Sequence, residues 1–141
     1  MAETPSFEEI VENFELFDSW EDRYRYVIDL GKDMPPLADD QKTSATKVDG
    51  CASQVWLVPR LTGERGNPRL NFDGDSDAMI VRGLIAVLRA LYNGRPLSEV
   101  GQVDAEGQLA RLELQAHLSA QRSNGLKAMI ARLRDLARAA A

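Results

Sequence analysis

Between Arg69 and Leu91 the hydrophobic period of the chain changes once, and that change constrains the fold more than any other feature. Leu70 and Phe72 alternate with polar Arg69, Asn71 and Asp73, the two-residue period of a strand with one buried face. After Gly74-Asp75-Ser76-Asp77, the apolar residues Ile80, Leu84, Val87, Leu88 and Leu91 fall on one helical face until Asn93-Gly94 closes the helix. Asp75 or Ser76 is expected to cap this helix, with Asp77 complementing its N-terminal dipole. A helix so apolar must be covered, so it is predicted to be the central packing helix.

The flanking segments suggest what covers it. Ser6 followed three residues later by Glu9 has the form of a capping box, and Ile10, Val11 and Phe14 follow at helical spacing. Ser19 and Asp22 signal a second helix with Tyr24, Val27, Ile28 and Leu30 on its apolar face and Gly31 as its stop. From Lys32 to Thr46 the chain turns polar around Pro35 and Pro36, an ordered loop pinned by Met34, Pro35 and Leu37. Val55 to Leu61 reads as a strand whose Pro59 marks an edge or an end, and Thr62 to Pro68 is turn material leading into the Leu70–Phe72 strand as a hairpin. Lys47-Val48-Asp49 is a candidate third strand.

Short helical turns are expected at Pro96 to Val100 and Gly107 to Leu114. A final helix starts near Ser119 with Leu126, Met129, Ile130, Leu133 and Leu136 on one face, and its Ala-rich tail is expected to fray. No fixed repeat interrupts this order. The class is α+β, a single domain over residues 1–141.

Composition excludes several functions. With 44% hydrophobic and 28% charged residues the chain has an ordinary globular balance, and a net charge of -5 argues against general affinity for phosphate backbones. Nucleic acid is not an expected partner. Arg82 and Arg89 break the longest apolar run far short of a membrane span, and Met1-Ala2-Glu3-Thr4-Pro5 lacks the basic start of a signal peptide, so a cytoplasmic protein is expected.

Cys51 is the only cysteine and His117 the only histidine, too few for structural zinc or an iron–sulfur scaffold. Gly63-Glu64-Arg65-Gly66 is followed by Asn67-Pro68 rather than by Lys and Ser or Thr, so it is a turn and not a phosphate loop. Cys51 remains as the candidate for chemistry, because Gly50 places it at a turn before a strand-like stretch. A solitary thiol has no internal partner, and sulfur held on it cannot be taken by a resolving cysteine of the same molecule. The competing reading is a small buried apolar side chain. A cysteine hydrolase pairing Cys51 with His117 is a third. Arg122, if near the thiol, would favour its anion.

Three blocks resemble those of the SufE family in sequence, order and separation. They are Gly50-Cys51-Ala52-Ser53-Gln54-Val55-Trp56, Gly74 to Leu84, and His117-Leu118-Ser119-Ala120-Gln121-Arg122-Ser123-Asn124-Gly125-Leu126. Trp20-Glu21-Asp22-Arg23-Tyr24 and Leu30-Gly31 are similar to that family as well, so the likeness runs from about Phe7 to Leu136. The resemblance implies an antiparallel sheet of about three strands packed against helices, with the cysteine loop at one end.

The resemblance also implies a sulfur acceptor. Cys51 would take persulfide sulfur from a pyridoxal-phosphate-dependent, SufS-like cysteine desulfurase and pass it to a SufBCD-like iron–sulfur scaffold. The chain itself would hold no cofactor, stimulating the desulfurase without catalysing C–S cleavage; a regulatory module that carries no sulfur is the alternative. Gly50 would be the hinge of the loop, which is expected to shelter Cys51 at rest. Gln54 lies in the loop motif, and Asp77 and Arg122 match motif residues near the loop or the desulfurase contact. Ala52 departs from the glutamine often found after the cysteine.

Overall fold

Ser6 and Ser19 start the first two helices as their sequence signals predict. In a computed structural model describing residues 5–51 and 53–140, α1 spans Phe7–Leu16 and α2 spans Trp20–Asp33. The Ser6 hydroxyl accepts from the Glu9 N–H and that of Ser19 from the Asp22 N–H, each at 3.2 Å. The leader reading at Met1–Thr4 and the departure at Ala52 lie outside the described residues.

Helix α2 does not stop at Gly31. It continues to Asp33 because Gly31 is a crossing point, where a Cβ would stand 2.6 Å from the backbone nitrogen of Gly83. Gly83 belongs to α3, Met79–Tyr92, and a Cβ there would overlap the Val27 carbonyl oxygen and stand 2.6 Å from Val27 Cγ1. The missing side chains let two backbones approach, which is a different use of glycine from a stop.

Strands β1, Val55–Thr62, and β2, Arg69–Ser76, form the expected antiparallel hairpin, with Pro59 opposite Phe72. The third strand is not Lys47-Val48-Asp49. That segment makes only an isolated bridge from Lys47 to Trp56, and β3 is Arg95–Pro96, paired with the start of β2. The sheet order is β1-β2-β3, so β1 is an edge. Val55 and Leu57 turn their peptide groups outward, to the Val48 N–H and the Thr46 carbonyl. By the two-residue period the nitrogen of Pro59 also faces that edge, where its missing N–H breaks no ladder bond.

Helix α3 is the packing centre, with eleven of its fourteen residues buried. Ile85 and Leu88 are fully buried with Val55, Leu70 and Phe72 from the sheet and Val27 from α2. Neither Asp75 nor Ser76 caps it. Strand β2 runs through Ser76, so the N-cap is Ala78 without a side-chain bond, while the Ser76 hydroxyl accepts from the Ala78 N–H at 3.2 Å.

Asp75 instead anchors the loop after α2. Its carboxylate accepts from the Leu37 N–H at 3.1 Å, pairs with Arg82, and lies 3.5 Å from Lys42 Nζ. Arg82 in turn donates to the carbonyls of Gly31 and Met34 at 3.0 and 2.9 Å. Met34 and Leu37 are buried as pins, whereas Pro35 is exposed and pins nothing.

The remaining helices are α4, Leu97–Val100, α5, Ala105–Ala110, α6, Leu114–His117, and α7, Ala120–Ala140. The turn expected over Gly107–Leu114 is split because Glu113 takes a left-handed conformation, φ 54°, before α6. The C-terminal tail keeps helical geometry to Ala140, longer than its composition suggests. Among the described residues no helix is long and apolar enough to cross a membrane.

Candidate functional site

Cys51 stands on the loop between the Lys47 bridge and β1, where the preceding glycine permits a turn that other residues resist. Gly50 has φ +89°, and a Cβ on it would reach 3.4 Å from Ala128 Cβ on α7. The turn directs the thiol at the N-terminal part of α7, where Cys51 Sγ lies 3.7 Å from the Gly125 carbonyl oxygen as a weak S–H donor. The sulfur is half-buried, less enclosed than expected from sequence.

The loop is fastened at its far side by Asp77. The Gln54 N–H donates to Asp77 Oδ1 at 3.0 Å, and the Asp77 N–H donates to the Gln54 carbonyl at 3.4 Å. Asp77 thus joins the cysteine loop to the start of α3, and Gln54 contributes through its backbone.

A cavity of about 260 Å³ adjoins the thiol. Val55, Val81, Leu84 and Met129 give it an apolar floor from β1, α3 and α7. Ser53, Ser119, Gln121 and Arg122 supply the polar side, with Gly125 beside the sulfur. Among the described residues Arg122 has no ion-pair partner and is the only charged residue lining the cavity. Burial pushes the Cys51 thiol above its ordinary pKa, and the negative charge of Asp49 pushes it the same way. The resting side chain is therefore a protonated thiol at neutral pH, and Arg122 does not reverse this.

Cys51, Gly50, Gln54, Asp77 and Arg122 thus come together around one loop and one cavity. His117 does not join them. Its ring stacks on Trp20 at 3.6 Å between centroids, its carbonyl accepts from the Tyr24 hydroxyl, and it lines a separate surface pocket with Ala110 and Glu113. A nucleophile–base pair of Cys51 with His117 has no support in this arrangement. No three His, Cys, Asp or Glu side chains among the described residues converge as a metal site would need. Sequence reasoning does not place Ser53, Ser119 or Gly125 at the site, reading Ser119 only as a helix start, although each lies inside a quoted block; the signal is their spacing from Cys51 and Arg122.

A family model, the SufE "Fe-S metabolism associated domain", matches residues 8–137. The chain belongs to the SufE family. An uncharacterized SufE-like protein of Rhizobium etli is 50% identical over 133 residues, covering 94% of this chain and 90% of the relative. A second, from Rhizobium meliloti, is 48% identical over 130 residues, covering 92% and 93%. The solution structure of a hypothetical protein from Thermus thermophilus superposes with a TM-score of 0.75 over 99% of this chain and 98% of that one, at 19% identity. That likeness speaks for the fold alone. The SufE description ties this chain to iron–sulfur metabolism, and the α+β fold with its three-stranded antiparallel sheet agrees with the class expected from sequence.

Proposed function

We propose that this SufE-family chain is a sulfur acceptor and carrier, with Cys51 as the residue that receives persulfide sulfur from a cysteine desulfurase. The observation that carries the reading is the solitary thiol, half-buried beside a cavity on a loop where the preceding residue, Gly50, lies in the left-handed region. A protonated, partly sheltered sulfur is unreactive at rest. It becomes a nucleophile when the loop extends, because solvation removes the burial that holds its pKa up.

The chemistry balances without an external oxidant. The Cys51 thiolate attacks the outer sulfur of the desulfurase persulfide, forming a Cys51 S–S bond while the donor's own S–S bond breaks and its cysteine leaves as thiolate. That frees the donor for another turnover, so the acceptor stimulates desulfuration without cleaving a C–S bond. In-line approach of sulfur to sulfur requires the loop to reach into a partner's site, and Gly50 supplies the swing. Asp77 and Gln54 fasten the resting pose, and Arg122 borders the path the sulfur takes. The downstream recipient is a scaffold for iron–sulfur assembly of the SufBCD kind, and the setting is the cytoplasm, where thiols stay reduced.

The test is to incubate the protein with a SufS-like desulfurase and cysteine and read the intact mass. One added sulfur atom on Cys51 is expected, and Cys51→Ser should lose both the adduct and the stimulation of desulfurase turnover. Stimulation that survives Cys51→Ser would instead establish a regulatory module that carries no sulfur.

A further inference from the structure

The cavity beside Cys51 is far larger than the cargo the carrier reading requires. One added sulfur atom is of the size of a water molecule, whose share of liquid volume is about 30 Å³, whereas the cavity measures about 260 Å³. Its lining is also divided in a way that cargo storage does not explain. The buried lining residues Val55, Val81, Leu84 and Met129 are apolar, Ser53 is half-buried, Ser119, Gln121 and Arg122 are exposed, and among the described residues Arg122 carries the only lining charge. Among the described residues no carboxylate lines the cavity, while Asp49 acts on the sulfur from outside the lining, so an anion is favoured at the Arg122 end and not beside Cys51.

We propose that this cavity binds a small thiol bearing a carboxylate, which takes sulfur directly from Cys51. This rests on the reading of Cys51 as a carrier and adds to it a second class of recipient. The carboxylate would pair with Arg122 at the exposed end, with hydroxyl and amide donors from Ser119 and Gln121, while the short methylene stem lies on the apolar floor and the thiol faces Cys51. With the loop in its resting pose, only a molecule small enough to enter the cavity reaches the sulfur, whereas a protein recipient needs the loop to swing out. The two recipients therefore use different loop positions.

The transfer is a thiol–disulfide exchange. The acceptor thiolate attacks the outer sulfur of the Cys51 persulfide, a new S–S bond forms on the acceptor, and the bond to Cys51 Sγ breaks with Cys51 leaving as thiolate. The persulfide proton stays on the transferred sulfur, and no electrons enter or leave the pair.

The test loads Cys51 with sulfane sulfur using inorganic polysulfide, so that it proceeds whether or not a desulfurase delivers. Separate loading by desulfurase and cysteine examines the carrier reading alone. The loaded protein is treated with 3-mercaptopropionate or its methyl ester, rates are normalised to the thiolate present, and loss of one sulfur is followed by intact mass. One charge-assisted contact should make the acid about tenfold faster than the ester at low concentration. Arg122→Gln, an exposed position that leaves the core untouched, should bring that ratio close to one. Equal rates for acid and ester in the native chain, or a preference for the acid that persists in Arg122→Gln, would overturn the proposal.

Discussion

Helix α3 and the Cys51 loop meet at Asp77, yet their positions are fixed by opposite means. Helix α3 is held by burial on nearly every face, by a glycine crossing with α2 that admits no added atom, and by the charge cluster of Arg82 and Asp75. The loop is held by a long S–H contact to Gly125, two bonds between Gln54 and Asp77, and a glycine turn. Close packing resists partial displacement, because every small shift loses many contacts. A few polar bonds at the rim can be exchanged for water at little net cost. The proposed carrier role asks for this pairing, a closely packed frame beside a thiol held by exchangeable bonds.

The comparison breaks most strongly at Asp75. Replacing it by Asn leaves Arg82, only 14% exposed at its side chain, without its counter-charge, and the loss should be about 3 kcal/mol in denaturant unfolding. Burial by itself raises the Asp75 pKa, but the N–H groups of Ser76 and Leu37 with Arg82 and Lys42 outweigh it, and the carboxyl lies below its ordinary value. A lowered folded pKa means stability that is fully present above the unfolded value, about 3.9, and lost as pH falls through the folded one. The melting temperature should therefore drop more steeply with acid in the native chain than in Asp75→Asn. Equal slopes would show that Asp75 does not hold the frame.

Gly83→Ala comes next, with a loss of about 1–3 kcal/mol because the methyl group meets the Val27 backbone, which cannot rotate away. Both substitutions should lower global stability while leaving the alkylation rate of Cys51 in the folded state nearly unchanged. A large change in that rate would mean that frame and loop are coupled through α3.

The frame is the more legible of the two regions because periodicity reports on burial. The apolar residues of α3, the Leu70–Phe72 alternation and the caps at Ser6 and Ser19 each recur at the spacing that their packing demands. Gly31 misleads because sequence shows a glycine but not what approaches it; a helix stop and a helix crossing leave the same mark. The third strand escapes sequence reading because a two-residue pairing such as Arg95–Pro96 has no period. Asp75 shows the same limit, since an acidic residue before a helix suits a cap equally well as a buried anchor. At the site, the blocks around Cys51, Asp77 and Arg122 can be named from their likeness to a family. Their meeting at one cavity, and the absence of His117 from it, depend on how α7 lies against the loop, which no local pattern encodes.

The loop is tested by smaller changes with the opposite signature. Gly50→Ala forces a side chain into φ +89° and toward Ala128, a strain of about 1–2 kcal/mol that falls on the resting pose alone. Cys51 alkylation should rise about tenfold, and unfolding stability should fall by no more than the same about 1–2 kcal/mol.

Asp77→Ala should have the smallest effect and be the most discriminating. It removes the carboxylate that accepts from the Gln54 N–H at 3.0 Å, an exposed bond worth about 1 kcal/mol net. If that bond fastens the resting loop, its loss should raise the population of the extended pose and the alkylation rate of Cys51 about fivefold. The extended pose and the unfolded chain both lack this bond, so unfolding stability should fall by no more than the same about 1 kcal/mol, less than for either frame substitution. Asp77→Asn keeps an acceptor oxygen and should behave nearly as the native chain. A rise of equal size in Asn and Ala would assign the effect to the lost charge rather than to the fastening bond.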